Sequence, residues 1–117
     1  MASDSNKGRR RRKLKTLNVQ IQPARSPGLD SAAIVAALRT LSKDSWVNEG
    51  EDGGPYINVC FDVPKLERLW LAIRGILDAN PAVAQATIIT CQGKRGWDDY
   101  LLLHHFDVSE QLDDISN

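Results

Sequence analysis

Seven basic residues crowd the start of the chain and are its densest set of groups able to bind a ligand by charge. Closely spaced positive charges attract phosphates in a salt-dependent way that does not read base sequence. The run therefore predicts a site for nucleic acid, RNA or DNA, or for another polyanion. The alternative is a solvated tail that offsets an acidic body. The residues are Lys7, Arg9, Arg10, Arg11, Arg12, Lys13 and Lys15.

The formal net charge of zero hides a strong asymmetry along the chain. Residues 1–25 hold eight basic residues and one acidic residue, a net charge of +7. Residues 26–117 hold seven basic and fourteen acidic residues, a net charge of −7. A basic arm on an acidic body indicates an interaction segment more clearly than the overall isoelectric point does.

A second candidate contact surface combines cations with aromatic rings. Lys94, Arg95 and Trp97 lie in the turn-rich sequence GKRGWDDY, residues 93–100. An aromatic anchor with a cationic rim is typical of a recognition loop. We predict that this loop and Tyr56 contact a partner. The alternative, which we favour for Trp97, is that its ring folds back on the core, because tryptophan is highly buried on average.

The remaining reactive side chains do not form a recognisable catalytic or metal-binding motif. His104 and His105 are adjacent on a predicted strand, so they point to opposite faces and cannot chelate one metal together. Zinc needs three or four ligands, and only Cys60 and Cys91 remain as soft donors. We predict no catalytic residue, no metal and no cofactor, and lean against an enzyme.

The strongest structural signal is a helix over residues 64–80, PKLERLWLAIRGILDAN. Its apolar residues recur at helical spacing and occupy one stripe. Asp62 is the predicted N-cap, and Pro64 suits the first helical position. Leu71 points away from the stripe and is expected to be exposed. The stripe consists of Leu66, Leu69, Trp70, Ile73, Ile76 and Leu77.

The other elements follow from alternation and turn signals. A helix that Asp30 or Ser31 would cap and that ends near Ser42 follows the first strand. GEDGG at residues 50–54 predicts a hairpin turn. Gln92 to Asp99 is a predicted loop. The predicted strands are 16–22, 46–48, 56–62, 86–91 and 100–106.

The element order is β-α-β-β-α-β with an additional C-terminal strand. Right-handed crossovers place both helices on one face of an antiparallel sheet, which predicts an α+β sandwich of the ferredoxin-like kind. The first strand then lies between the strands of Cys60 and Cys91, so these thiols stay about 9–10 Å apart and unpaired. The open face would carry Asn18, Gln20, Gln22, Tyr56, Asn58 and Cys60.

Three segments are predicted: a disordered basic arm at 1–15, a single α+β domain at 16–108 and a frayed acidic tail at 109–117. The last strand is apolar on both sides and needs cover from a loop or another subunit. No apolar run approaches the roughly 18 residues of a membrane span. Two cysteines without a disulfide framework predict a cytoplasmic setting.

Residues 54–61, GPYINVCF, resemble the longer sequence motif of the RNA-recognition-motif family, a fold of the same strand order. That family stacks bases on aromatic rings of the first and third strands. Tyr56 matches one ring, but Asn58 and Asn18 stand where the family has others. Two missing rings at about 1–3 kcal/mol each remove most of the usual affinity. We therefore do not assign the chain to this family.

The sequence thus favours a small non-enzymatic binding or regulatory module. It would be a possible homodimer, contacting a partner through the open sheet face or the last hairpin. The first alternative is a nucleic-acid-binding protein that uses the basic arm. The weaker alternative is a small dimeric enzyme of the ferredoxin-like kind.

Overall fold

The computed structural model describes residues 14–115 of the 117-residue chain. Within these residues, no helix has both the length and the apolar character required to cross a bilayer. A short 3₁₀ turn, Pro23–Arg25, follows the first strand. The strands are β1 Lys15–Ile21, β2 Ser45–Glu51, β3 Pro55–Val63, β4 Thr87–Gly93 and β5 Gly96–His105, and the helices are α1 Ser31–Arg39, α2 Leu66–Ala79 and α3 Pro81–Ala84.

The fold is α+β, with the five strands in one open antiparallel sheet. Their order across the sheet is β2-β3-β1-β4-β5. The first strand lies between the strands of Cys60 and Cys91, as predicted, and both thiols are free. They also point to opposite faces, since Cys60 alternates with the fully buried Val59 and Phe61.

The helices cover one face of the sheet because the strands alternate with period two. Leu17, Val19 and Ile21 of β1 are at most 1% exposed, and they share one apolar core with both long helices. Leu38 belongs to this core from α1. The predicted apolar stripe of α2 is buried there, except that Ile76 is only partly buried. Leu71 is exposed, as expected.

The predicted N-cap of α2 is wrong. Lys65 occupies the N-cap position without a side-chain hydrogen bond, and the helix begins at Leu66 instead of Pro64. Asp62 still belongs to β3, where it accepts a hydrogen bond from Thr16 Oγ1 at 2.6 Å. The predicted cap of α1 is correct, since an oxygen of Asp30 accepts from the Ala33 amide at 3.1 Å.

The last hairpin differs from the predicted long loop. Lys94 and Arg95 form a tight turn between Gly93 and Gly96, and β5 begins at Gly96. Gly96 has φ +75°, a conformation that costs glycine little but strains other residues. The loop prediction failed because residues 97–99, although they carry turn-forming aspartates, belong to β5.

A β-bulge explains how the last strand is covered on its helical side. Leu102 pairs with Thr90, whereas His104 pairs with Ile89, so Leu103 is the extra residue. Leu103 is buried, and His104 Nε2 lies 2.9 Å from the Ala84 carbonyl oxygen. The consecutive side chains of Leu103 and His104 therefore both lie on the covered face of β5.

The segment after β5 returns to the outer edge of that strand. The Asp113 amide donates to the Leu102 carbonyl at 2.7 Å, and the Leu102 amide donates to Asp113 Oδ2 at 2.8 Å. Ile115 packs against the core. The chain itself thus occupies part of an edge that could otherwise pair with another strand.

The predicted boundaries of the α+β domain, at residues 16 and 108, stay predictions.

Candidate functional site

The face of the sheet that the helices leave open carries side-chain amides on its three neighbouring strands β2, β3 and β1. Asn18 and Gln20 alternate with the buried residues of β1 and therefore point outward. Asn58 lies opposite Gln20 on β3, and Asn48 lies opposite Asn58 on β2. The register of three antiparallel strands thus gathers residues that are up to 40 positions apart in the chain.

Three asparagines and one cysteine close a ring of side-chain contacts, here called the amide cluster: Asn18, Asn48, Asn58 and Cys60. Asn18 Nδ2 donates to Asn58 Oδ1 at 3.2 Å, and Asn58 Nδ2 donates to Asn48 Oδ1 at 2.9 Å. The Cys60 thiol donates to Asn18 Oδ1 at 3.4 Å. Asn48 Nδ2 completes the ring with a long contact of 4.0 Å to Cys60 Sγ. Each member donates once and accepts once.

The amide cluster retains hydrogen-bonding capacity on its outer side. A carboxamide has two N–H donors and an oxygen with two lone pairs. The ring uses one N–H of each asparagine, and the second has no partner among residues 14–115. Asn48 is exposed, while Asn18 and Asn58 are half-buried. The cluster therefore presents oriented donors and acceptors to whatever lies on the sheet.

Two aromatic residues flank the amide cluster along β2 and β3. Trp46 lies opposite Cys60 and is 42% exposed. Tyr56 lies opposite Gly50, and its ring crosses that glycine so closely that a Cβ there would overlap it. Gly50 is therefore required for the observed position of Tyr56. The sequence pointed to Tyr56 as a contact residue but missed Trp46, whose only signal was its place in a short polar strand.

A second polar network extends the open face beyond the last residue of β1. Arg25 Nε donates to Gln22 Oε1 at 2.6 Å, and Gln22 Nε2 donates to Gln20 Oε1 at 2.8 Å. The Arg25 guanidinium carbon lies 3.6 Å from the centre of the Phe106 ring, a cation–π contact. Gln20, Gln22, Arg25 and Tyr56 border an open groove of about 580 Å³, which Asp52 also lines. The positively charged guanidinium of Arg25 is thus fixed at the Tyr56 end of the open face.

The last hairpin lies at the other end of the sheet. Lys94 follows Gly93 and borders a small cavity together with Lys15, whereas Tyr56 neighbours the Ile21–Ile57 pair. The seven residues of β1 separate the two ends by about 20 Å. The predicted contact residues Tyr56, Lys94, Arg95 and Trp97 therefore do not form one continuous patch.

Trp97 does not fold back on the core as we expected, since 45% of it is exposed. The local charge pairing does occur: Asp99 Oδ1 accepts from the Arg95 amide at 2.8 Å, and Asp99 Oδ2 lies 4.0 Å from Arg95 Nε. At that distance and exposure the ion pair adds little stability. Of the predicted polyanion-binding residues, Lys15 begins β1, and the other six lie outside the described residues.

The two thiols are held in ways that disfavour nucleophilic chemistry. Burial, with a smaller contribution from Asp62, raises the pKa of the Cys60 thiol. Burial raises the pKa of Cys91 to about 11. A thiol must ionise to act as a nucleophile, so both are poorly reactive near neutral pH. His105 Nδ1 accepts from the Asp107 amide at 2.9 Å. Residues 14–115 contain no group of three or more His, Cys, Asp or Glu that could hold a metal.

No protein-family model matches the chain, and comparisons with curated proteins and with solved structures find no significant match. The case for a site therefore rests on geometry. The amide cluster with its aromatic flanks is the strongest candidate, because its members come from three strands and converge on one exposed surface.

Proposed function

We propose that the chain is a small non-enzymatic binding module that holds its partner on the open face of the sheet. The observation that supports this proposal is the amide cluster. Its three carboxamides are oriented by one another and keep one N–H each for an external acceptor. Side chains that are already ordered lose less conformational entropy on binding, which favours affinity.

A purely structural role for the same residues is the competing explanation. Cross-strand polar pairs contribute roughly 0.2–1 kcal/mol and help to set register. Register is already specified here by the buried face of the same strands, where a slip of one residue would expose Leu17, Val19 and Ile21. The amides are therefore not needed for register, which supports a role on the outer side.

The strand order also supports a ferredoxin-like arrangement for this module. β1 lies between β3 and β4, β2 and β3 form a hairpin, and residues of both long helices share one core. β5 extends the sheet beyond β4 as the additional C-terminal strand. Two free cysteines support a reducing, cytoplasmic setting.

The predicted homodimer remains a prediction. It was motivated by a last strand that is apolar on both sides. The chain supplies part of the cover itself, through the bulge that buries Leu103 and through the contacts of Asp113 and Ile115. The enzyme alternative loses support from the raised pKa values of both thiols.

Site-directed photo-crosslinking in native cells tests the proposal. A photoreactive phenylalanine replaces Trp46, beside the amide cluster, and the matched control replaces Leu71, which is 50% exposed on α2. We expect a discrete crosslinked partner from position 46 that is lost when Asn18→Ala and Asn58→Ala are added. Equal crosslinking from both positions, or crosslinking from position 46 that survives loss of the amides, would contradict the proposal.

A further inference from the structure

The groove at the Tyr56 end of the open face lies between two turns of the chain. One wall is the 3₁₀ turn Pro23–Arg25 that follows β1, and the other is the hairpin turn between β2 and β3, residues 52–54. Gln20 and Gln22 line it as well. Its volume of about 580 Å³ falls within the roughly 300–1,000 Å³ that is typical of small-molecule sites. The groove therefore has room for a small organic ligand.

The guanidinium of Arg25 is held on two sides and keeps its terminal N–H groups available. Its Nε donates to Gln22 Oε1 at 2.6 Å, and its central carbon lies 3.6 Å from the centre of the Phe106 ring. No hydrogen bond within residues 14–115 uses its two terminal nitrogens. A guanidinium fork that is already positioned matches the two oxygens of a carboxylate and loses less side-chain entropy on binding.

Gln20 adds a neutral donor to the same side of the groove. Gln22 Nε2 donates to Gln20 Oε1 at 2.8 Å, so the hydrogen bonds run in one direction from Arg25 through Gln22 to Gln20. That direction leaves the two N–H groups of Gln20, which have no hydrogen-bond partner among residues 14–115. A charged fork and an amide donor thus line one side of the groove, and both suit a carboxylate.

The other wall carries a negative charge. Asp52 lines the groove from the hairpin turn, where its amide donates to the Gly54 carbonyl oxygen at 3.0 Å. Asp52 is exposed, and its carboxylate makes no hydrogen bond or ion pair with residues 14–115, Arg25 included. A guanidinium and a carboxylate therefore border one groove without neutralising each other.

These charges decide which class of ligand the groove can hold. A ligand with only anionic groups would meet Asp52 and the field of residues 26–117, whose net charge is −7. A ligand with only cationic groups would leave the Arg25 fork without a partner. A small zwitterion pairs with both walls through charge-assisted hydrogen bonds and brings no net charge. A free amino acid has this chemistry.

We propose that this groove binds a free amino acid, with its carboxylate on Arg25 and Gln20 and its ammonium group on Asp52. The inference goes beyond the proposed function, because the groove contains no member of the amide cluster. It can therefore fail while the amide-dependent crosslink from position 46 persists, and it can hold if that crosslink is absent.

Isothermal titration calorimetry of the full chain tests the proposal, with each protein-forming amino acid, β-alanine and γ-aminobutyrate as ligands. At least one should bind with a Kd below about 1 mM, which is within reach of a ligand of about ten non-hydrogen atoms. The N-acetyl derivative and the carboxamide of the best ligand each lack one charge. Each should bind the native chain at least about tenfold more weakly than the free amino acid.

Two variants assign the charges to the two walls. Arg25→Gln should weaken binding of the best ligand at least about tenfold, because a neutral amide replaces the charged fork. Asp52→Asn should weaken binding of the free amino acid by about the same factor. It should leave binding of the N-acetyl derivative unchanged, because that derivative has no ammonium group.

Lys43→Gln with Asp44→Asn is the matched control. Both residues are exposed, and they lie at the opposite end of the sheet, where the Asp44 carbonyl oxygen accepts from the Asp62 amide at 3.0 Å. This double variant also removes one charge of each sign, and it should leave the affinity for the best ligand unchanged.

The absence of saturable binding by any of these amino acids would overturn the inference. So would equal binding of the free amino acid and either derivative, or an affinity that is unchanged in Arg25→Gln or Asp52→Asn. An equal loss of affinity in the control would overturn it too. The comparison of derivatives uses the native chain, so it tests the inference even if Arg25→Gln does not fold.

Discussion

The two faces of the sheet are formed by the same strands but differ in the chemistry of their side chains. Along β1, Leu17, Val19 and Ile21 are buried beneath the helices, while Asn18 and Gln20 between them point to the open side. β3 repeats the pattern, with Val59 and Phe61 covered and Asn58 in the amide cluster.

Under the proposed function, this difference assigns stability to the residues of the covered face and recognition to those of the open face. The covered face removes apolar area from water, which is the main favourable term in folding. The open face gains little from folding, because its amides exchange water for one another at a modest net benefit. Substitutions on the covered face should therefore impair folding, and those on the open face should impair binding.

The largest expected effect comes from the covered face. Phe61→Ala should lower the free energy of unfolding by about 3–5 kcal/mol, because it leaves a cavity in the core. Asn58→Ala, three positions earlier on the open side, should lower it by less than about 1.5 kcal/mol. Urea unfolding followed by circular dichroism measures both. Similar losses for the two variants would show that the open face also holds the fold together.

The two cysteines sharpen the comparison through pH. Cys91 is buried on the covered side, and burial raises its pKa from the ordinary thiol value of 9.0 to about 11. Between those values the unfolded chain has lost the thiol proton that the folded protein keeps. The free energy of unfolding should therefore fall as pH rises from about 9 to about 11, by at most about 2.7 kcal/mol.

Unfolding curves of the native chain and of Cys91→Ala at several pH values isolate this contribution. The variant should lose the part of the decrease that belongs to the thiol. Cys60→Ala is the control from the open face, where burial and Asp62 raise the pKa of a less enclosed thiol. A pH dependence that is unaltered in Cys91→Ala would mean that this thiol has the same pKa in the folded and the unfolded protein.

A smaller effect is expected at the outer edge of β5. Asp113→Ala removes the carboxylate that accepts from the Leu102 amide, and it should lower the free energy of unfolding by about 1 kcal/mol. Glu110→Ala, an exposed acidic residue in the same segment, is the control and should have almost no effect. Equal stability of Asp113→Ala and the native chain would indicate that the segment after residue 108 does not support the edge.

The smallest effect on the fold should come from removing the arm. Limited trypsin should cleave first within residues 1–13, where the basic residues offer many sites and no apolar anchor is present. The remaining body should keep its cooperative unfolding transition. Loss of that transition on trimming to Lys15 would make the arm a part of the folded domain.

Local patterns were sufficient for most of the architecture. The alternation of β1 and the helical spacing of α2 each repeat over several residues, so they predicted both the elements and the buried sides. End points were less accurate, as the start of α2 shows. A cap depends on where the preceding strand stops, and β3 runs on to Val63 through its pairing with Lys15.

The candidate site was predicted only in fragments. Tyr56, Asn18 and Asn58 were assigned to the open face from alternation, but their mutual contacts depend on register between strands. Trp97 was expected to be buried because of its residue type, whereas its position on the last hairpin leaves it exposed. Average burial describes a residue type and carries no information about which edge of a sheet its strand occupies.

By itself, the sequence determined the separation of charge, the type and order of most elements, and which residues of β1 and β3 share a face. These properties depend on neighbours within a few positions, where chain geometry alone sets the spacing. Only the tertiary structure decided the bulge at Leu103, the return of Asp113 to β5 and the closed amide cluster. Each of these joins groups distant in sequence, and their meeting depends on the register set by burying the opposite face.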